Sequence, residues 1–103
     1  MPDNAELFAA LGDETRLQLV DRLGAGGPAS IVDLTRGGQM TRQAVTKHLY
    51  VLEKAGLVQC VRLGRSSSWT LKHERLAQAQ NWLEMRARQW DAQLKNLQTF
   101  VET

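Results

Sequence analysis

Cysteine, proline and long apolar runs are scarce in this 103-residue chain. The single cysteine, Cys60, excludes an internal disulfide and fits a reducing compartment. No apolar run approaches the roughly 20 residues that a helix needs to cross a bilayer, so we expect no membrane partner. The N-terminal segment has early acids and lacks the basic start of a signal peptide. These absences predict a cytoplasmic protein, and the length predicts one domain over residues 1–103.

Sequence motifs of enzymes are missing as well. There is no glycine-rich phosphate loop, no HExxH pattern, and no arrangement of Ser, His and Asp whose spacing indicates a triad. A structural zinc site needs several nitrogen or sulfur ligands, and the chain has two histidines, His48 and His73, besides its cysteine. We interpret His48 as a hydrogen-bonded structural residue and His73 as a turn or capping residue. We therefore expect no catalytic residue, no metal and no cofactor.

Acidic residues are nearly absent from the middle of the chain. The formal charge is only +2, yet residues 36–65 contain six cations and a single acid, Glu53. The rest of the chain holds seven cations and ten acids. A positive charge confined to one segment is the electrostatic footprint of a nucleic-acid-binding surface. The middle third is thus the part predicted to contact DNA.

Residues 41–56 carry the signals of one amphipathic helix. Thr41 can cap its start, with Met40 as a staple, and Gly56 can end it. Three apolar residues recur at i, i+4 and i+7 and predict a stripe that faces a core: Val45, Leu49 and Leu52. The opposite face has no acid and suits base edges and phosphates in a major groove. On it we predict DNA contacts from Arg42, Gln43, Thr46, Lys47, Tyr50 and Lys54.

The preceding segments predict further helices. Residues 5–11 form the first, and Asp13 caps a second with an apolar stripe of Leu17, Leu19, Val20 and Leu23. Ser30 and Asp33 have capping-box spacing at the start of a short third helix, which Gly37 and Gly38 end. A short turn then leads to Thr41, which is the helix-turn-helix arrangement. The alternative is an ordinary helix pair with a solvated polar face, since such pairs also occur in proteins that bind no DNA.

After Gly56 the period changes to two and predicts a hairpin. Residues 57–63 and 67–71 form its strands, joined around residues 64–66. The expected register pairs Cys60 with Trp69, Val58 with Leu71, and Arg62 with Ser67. The first two pairs would anchor the hairpin and leave a polar tip, which is typical of a wing. There we predict DNA contacts from Arg62, Arg65 and Ser66, with a plain surface hairpin as the alternative.

The last predicted helix spans residues 74–101 and contains no proline or glycine. Its apolar residues repeat at near-heptad spacing, and a domain of this size cannot cover so long a stripe. We expect the half from Leu76 to Leu83 to pack on the chain's own core and the rest to meet a second copy through a two-fold contact. The predicted dimerisation residues are Leu7, Phe8, Trp90, Leu94, Leu97 and Val101.

Three phrases together resemble the ArsR/SmtB-type family of small bacterial winged-helix repressors: LFAALGDETRLQLVDRL, TRQAVTKHLYVLEKAGLV and GRSSSWTL. The resemblance spans nearly the whole chain. It implies a mainly helical winged helix-turn-helix homodimer that binds a pseudo-palindromic operator in double-stranded DNA and represses transcription.

Metal sensing, known from this family, is not expected here. Where those sensors carry a cysteine cluster in the third helix, this chain reads Ser30-Ile31-Val32-Asp33-Leu34, and neither histidine lies in the last helix. Trp82 and Trp90 resemble the family's metal-independent branch, so any small-molecule inducer stays unidentified. Two alternatives remain open, namely a winged-helix module that binds an acidic protein, and a redox-responsive regulator that uses Cys60. The apolar setting predicted for Cys60 opposes the second.

Overall fold

The computed structural model of the protein describes residues 4–102, and of residue 102 only the backbone. Residues 1–3, on which the expected absence of a signal peptide partly rests, and residue 103 lie outside this range. Within it, five helices and two strands follow in the order α1 (Asn4–Leu11), α2 (Glu14–Gly26), α3 (Ile31–Thr35), α4 (Arg42–Lys54), β1 (Val58–Leu63), β2 (Ser66–Leu71) and α5 (His73–Glu102). The helices and the antiparallel hairpin confirm the predicted fold class.

The turn between α1 and α2 is held by Asp13 and Arg16. As predicted, Asp13 caps α2, since its Oδ1 accepts a 3.0 Å hydrogen bond from the Arg16 backbone N–H. Arg16 Nε donates to the Ala10 carbonyl at 2.7 Å, near the end of α1 where carbonyls lack helical partners. The hydrogen bond from the Arg16 N–H is the main cause that lowers the pKa of Asp13 from its ordinary 3.8. This stabilisation is full above that ordinary value and is lost as the pH falls through the lowered pKa.

The buried face of α2 differs from the prediction at one position. Leu19, Val20 and Leu23 are buried, whereas Leu17 is exposed, so its prediction as a core residue is wrong. The elements packed on α2 cover the side that carries Leu23. At 100° per residue, Leu17 lies about 120° around the helix from Leu23 and turns away from those neighbours.

The helix-turn-helix is built from α3 and α4. The predicted capping box is present, with the Asp33 N–H donating to Ser30 Oγ at 3.1 Å and the Ser30 N–H donating to Asp33 Oδ2 at 3.2 Å. The Ser30 N–H is the main cause that lowers the pKa of the Asp33 carboxyl. Arg22 of α2 donates to the carbonyls of Asp33 and Leu34, which ties the end of α3 to α2. Gly37, with a φ of +70°, then turns the chain toward α4.

The end of α4 follows the expected glycine signal. Gly56 has a φ of +81°, and its N–H donates to the Glu53 carbonyl at 2.9 Å. The N–H of Leu57 donates to the Leu52 carbonyl at 3.0 Å. This pair of hydrogen bonds is the Schellman motif, to which the buried Leu57 adds an apolar contact. The motif turns the chain from α4 directly into β1.

Gly56→Ala is expected to lower the free energy of unfolding by about 1–2 kcal/mol, because a Cβ disfavours the left-handed backbone. Gly26→Ala is the matched control. Gly26 also ends a helix, but its φ is not positive and a Cβ there meets nothing within 4 Å. We expect the control to be neutral or slightly stabilised in urea unfolding followed by circular dichroism. Equal losses in the two variants would contradict this account of the cap.

The hairpin has the predicted register. Val58 pairs with Leu71, Cys60 with Trp69, and Arg62 with Ser67, around a turn formed by Gly64 and Arg65. The other edge of β2 is also paired. The Trp69 N–H donates to the Ala29 carbonyl at 2.8 Å and the Ala29 N–H donates to the Trp69 carbonyl at 3.0 Å. The strand β2 therefore lies inside this small ladder and β1 outside it.

The position of β1 corrects one expectation for the hairpin. Val58, Trp69 and Leu71 are buried as predicted, but Cys60 is exposed, so its predicted role as an apolar anchor is wrong. Val58 is the first residue of β1 and its only buried one. The residues after it are exposed because the strand leaves the protein body there. An argument for low thiol reactivity from an apolar setting therefore does not apply to Cys60.

The helix α5 joins the core only near its start. Ala79 is buried and Leu76 packs against the core, while Trp82 lies against Phe8 of α1 with ring centroids 5.5 Å apart. Leu83 is exposed, so its predicted packing on the chain's own core is wrong. The α1 side of the helix carries Trp82 instead. Although α5 has 30 residues, neither it nor another helix in the described range is apolar enough to span a membrane.

Candidate nucleic-acid interface

The helix α4 presents two faces of opposite character. Thr41 Oγ1 accepts a 3.1 Å hydrogen bond from the Ala44 N–H, which confirms the predicted N-cap. Val45, Leu49 and Leu52 have no exposed surface and belong to the core. Because this stripe is held in the core, the opposite face of α4 is held at the surface. Exposed on it are Arg42, Gln43, Lys47, Tyr50 and Lys54, with Thr46 half-buried at the edge.

The hydroxyl of Thr46 already has a partner inside α4. Its Oγ1 donates to the Arg42 carbonyl at 2.7 Å. The hydroxyl proton is therefore used within the helix, and Thr46 can offer another molecule its oxygen lone pairs and its methyl group. A role as acceptor or apolar contact fits this geometry better than a role as donor.

Tyr50 connects the exposed face of α4 to the hairpin. Its ring meets that of Trp69 in β2 edge to face, with centroids 6.2 Å apart and an interplanar angle of 68°. Such pairs add about 0.5–1.5 kcal/mol beyond the buried area. Tyr50 still keeps most of its surface exposed, so it can contact a ligand while it fixes the angle between α4 and the hairpin.

The hairpin tip carries the second group of predicted contacts. Arg62, Arg65 and Ser66 are all exposed, and no residue from 58 to 71 is acidic. Gly64, with a φ of +65°, allows the tight turn. The tip thus brings two cations and a hydroxyl together beyond the protein body.

In the part of the chain that the structure describes, no ion pair neutralises the cations of α4 and of the hairpin. We call Arg42, Lys47, Lys54, Arg62 and Arg65 the basic surface. The described ion pairs join Arg16 to Asp13 at 4.0 Å and Arg36 to Asp33 at 3.7 Å, and within residues 4–102 neither includes a member of this surface. Glu53 is the sole acid in the sequence between residues 34 and 73. The basic surface can therefore act on an external polyanion at full charge.

His48 is a structural residue, as its position next to the buried stripe predicts. Its Nδ1 lies 3.4 Å from Arg16 Nη1, and because the guanidinium can only donate, the ring nitrogen accepts. Arg16 thereby connects α1, α2 and α4 beneath the basic surface. Among residues 4–102, no three His, Cys, Asp or Glu side chains stand together as a metal site.

Two of the exposed apolar residues at this surface, Val51 and Leu63, were not among the predicted contacts. Val51 lies on the exposed side of α4, one turn after Lys47, and Leu63 ends β1 at the tip with 76% of its surface exposed. The sequence feature that could have revealed Val51 is its position as an apolar residue on a polar helical face. Leu63 could have been found from strand alternation, which places its side chain on the face opposite that of the buried Val58. On α4, Val51 can contact apolar groups such as the thymine methyls of a major groove.

The predicted dimerisation residues fall into two groups. Trp90, Leu94, Leu97 and Val101 lie along the far half of α5 with between 59% and 74% of their surface exposed. Phe8 is half-buried against Trp82. Leu7 has no exposed surface, so its prediction as a dimer contact is wrong: α1 turns this side chain into the core, where no second chain can reach it.

Comparison with known proteins places this arrangement among regulators. A family model described as a helix-turn-helix domain matches residues 11–61, from the end of α1 into β1. The uncharacterized HTH-type transcriptional regulator YuzN of Bacillus subtilis is 36% identical over 85 residues, and the match covers 76% of this chain and 92% of that protein. The match therefore includes the basic surface within nearly the full length of the relative.

Solved structures agree with the sequence relatives. An ArsR-like transcriptional regulator from Rhodococcus sp. RHA1 superposes with a TM-score of 0.84 at 33% identity, covering 93% of this chain and 90% of that one. The homodimeric winged helix-turn-helix domain Mb0332 from Mycobacterium bovis gives a TM-score of 0.65 at 25% identity, covering 82% and 77%. The first of these likenesses includes most of α5 as well as the helix-turn-helix and the hairpin.

Proposed function

The chain belongs to the ArsR-like family of winged-helix transcriptional regulators, and from this premise we propose that it is a homodimeric repressor of a pseudo-palindromic operator. In each subunit α4 enters a major groove, where Gln43, Thr46 and Tyr50 contact base edges. Arg42, Lys47 and Lys54 bind the phosphates at its borders. The hairpin acts as a wing on the neighbouring backbone and minor groove through Arg62, Arg65 and Ser66.

The observation that carries this proposal is the basic surface itself. Five cations lie on α4 and the adjoining hairpin, none of them in a described ion pair within residues 4–102. The edge contact between Tyr50 and Trp69 holds the two elements together. A surface of this kind repels cations, gains free energy by releasing counterions from DNA, and has the amide of Gln43 among its charges for reading bases.

The second copy is proposed from the exposed stripe of α5. Ala87, Trp90, Leu94, Leu97 and Val101 alternate three and four residues apart, the spacing of a helix-helix seam. A stripe of large apolar residues, each more than half exposed from Trp90 onward, is what association buries. The related Mb0332 domain is homodimeric, which supports the same state for this chain. Two-fold symmetry then matches a pseudo-palindrome.

In this proposal, transcription is regulated by whether the protein occupies its operator. A dimer bound across a promoter blocks RNA polymerase, so we propose repression in the cytoplasm, with no catalytic step and no resident metal. A protein-interaction module with an acidic partner is the competing function.

Competitive binding to DNA separates the two functions. Full-length protein is titrated into a labelled duplex from upstream of its own gene, with a random-sequence duplex of equal length as competitor, at several salt concentrations. We expect preference for the upstream duplex by about three orders of magnitude or more, and log K that falls linearly with log salt. Equal affinity for both duplexes would contradict an operator-binding regulator and favour the protein-interaction module.

Arg65→Ala in the wing is expected to weaken operator and random DNA alike. The reason is that a wing arginine meets backbone and groove shape, which occur in every sequence. Loss of one phosphate contact per subunit should reduce the salt slope by about 0.9 for each contact. The control is Arg88→Ala, an exposed arginine on α5. If Arg65→Ala weakens only the operator, this residue reads sequence and the assigned role is wrong.

A further inference from the structure

Leu63 is a large apolar side chain at an otherwise polar and charged hairpin tip. It is the last residue of β1, directly before the Gly64-Arg65 turn, and 76% of its surface is exposed. No other large apolar side chain between residue 4 and the end of β2 is as exposed. Isolated exposed leucines are common and by themselves need no explanation. What distinguishes this one is its charged surroundings and its rigid support.

The charge around Leu63 is of one sign. Arg62 precedes it and Arg65 follows across the turn, both exposed, and the hairpin contains no acid. The described ion pairs of residues 4–102 involve neither arginine. A hairpin tip that carries one apolar side chain and two cations outside the described ion pairs complements a narrow groove whose walls are phosphates and whose floor is made of base edges and stacked rings. A protein or lipid partner would have to supply two anions around one apolar cleft.

The paired strands of the hairpin support Leu63 at its tip. Six residues of β1 pair in register with six of β2, and Trp69 is bonded on its other side to Ala29 at 2.8 and 3.0 Å. Val58, Trp69 and Leu71 are buried at the base. Strand alternation puts Leu63 on the face away from Val58. The base of the hairpin is therefore anchored in the core, and the continuous ladder connects this base to the tip, which gives a side chain that separates stacked bases its support.

We propose that Leu63 is an apolar wedge that enters the minor groove, partly unstacks one base step and kinks the operator, while Arg62 and Arg65 bind the phosphates on either side. This inference rests on the proposed DNA-binding function and adds a specificity-determining residue to it. Apolar wedges of this kind kink duplexes by about 20–90°. Because pyrimidine-purine steps unstack most easily, the operator should carry a TA or CA step beneath each wing.

Two fluorescence measurements on the intact dimer test the wedge. The probe is a duplex of about 30 base pairs from the footprinted region upstream of the protein's own gene. Dyes at its two ends report bending by energy transfer, and 2-aminopurine replacing single adenines reports unstacking. The variants are Leu63→Ala, the conservative Leu63→Met, and Val61→Ala as the matched control. Val61 is on the same strand and face, two residues nearer the body, and exposed.

The expected result is a bend of at least about 20° with wild type and an increase of 2-aminopurine emission at one step per half-site. Leu63→Ala should lose most of the bend and the emission change, whereas Leu63→Met and Val61→Ala keep both. Replacing the TA or CA step by a GC-rich step should weaken wild type several-fold and Leu63→Ala far less. A straight operator complex, or a Leu63→Ala complex bent and unstacked like wild type, would overturn the wedge. A wild-type protein without operator preference would instead refute the proposed function on which the wedge depends.

Discussion

Leu94→Asp is expected to turn the proposed dimer into a monomer and to lower operator affinity by a factor of about 10²–10⁴. The side chain of Leu94 is more than half exposed in the single chain and lies in the middle of the α5 stripe, so a carboxylate there must be desolvated for two chains to pack. A monomer holds one half-site and half of the phosphate contacts, and the second half-site no longer binds at high effective concentration. Trp90→Asp should act in the same way, since Trp90 lies one turn earlier on the same stripe.

Sedimentation velocity at micromolar concentration and operator titration measure both parts of this prediction. Ala92→Asp is the matched control because it adds the same charge to the same helix on the face opposite Leu94, where the helix is also exposed. The control should remain dimeric with unchanged affinity. A Leu94→Asp protein that sediments as a dimer would show that α5 is not the seam.

Gln43→Ala is expected to reduce the preference for operator over random DNA by about 1–3 kcal/mol, the value of one good bidentate base contact. Gln43 lies in the first turn of α4 on the exposed face, and an amide can pair with the N6 and N7 edge of adenine. Binding to random DNA should change little, because the phosphate contacts of the basic surface remain. The effect should be confined to one base pair in each half-site.

Measuring the effect of Gln43→Ala requires both the operator and the random-sequence duplex, and a second glutamine as a control. Gln89→Ala removes an exposed amide from α5 and should leave both affinities unchanged. Titrations of operator variants at each position then locate the base pair whose substitution no longer matters in Gln43→Ala. If Gln43→Ala weakens random DNA as much as operator, the residue is a backbone contact and the assignment is wrong.

Local signals predicted most of the elements. The caps of Asp13, Ser30 and Thr41 each rest on a side chain that bonds the backbone of its own first turn, so nearby sequence contains the whole interaction. The same holds for Gly56, whose left-handed backbone ends α4. The hairpin register was also predictable, because strand alternation and a two-residue turn determine it together.

The errors arose where distant contacts decide burial. Leu17 and Leu83 lie on helices whose apolar residues extend around more than one face, and the sequence does not state which face a neighbour covers. Cys60 was expected to be buried because it pairs with Trp69, but the ladder continues on the Ala29 side and leaves β1 outside. Leu7 was predicted to contact a second copy because it is an apolar residue of the first helix, but α1 places its side chain in the core.

The candidate interface was predicted in part for the same reason. The exposed residues of α4 follow from one helical period, so their shared face could be inferred from spacing. The edge contact of Tyr50 with Trp69 and the bonds of Arg16 to α1 and His48 join residues far apart in the chain, and no local pattern indicates them. Leu63 and Val51 are apolar residues within polar sequence patterns, and this feature is visible in the sequence. A search for charged residues alone does not detect it.

Hydroxyl-radical footprinting of the upstream DNA with the full-length protein tests the central claim most directly. Two copies of the α4 face held by the α5 seam should protect two half-sites on one side of the duplex, with centres about 10–10.5 base pairs, or 34–36 Å, apart, or a small multiple of that spacing. The pattern should be two-fold symmetric, and Leu94→Asp should lose it at concentrations that saturate wild type. A single unpaired protected patch, or uniform protection at low salt without any preferred site, would contradict the account.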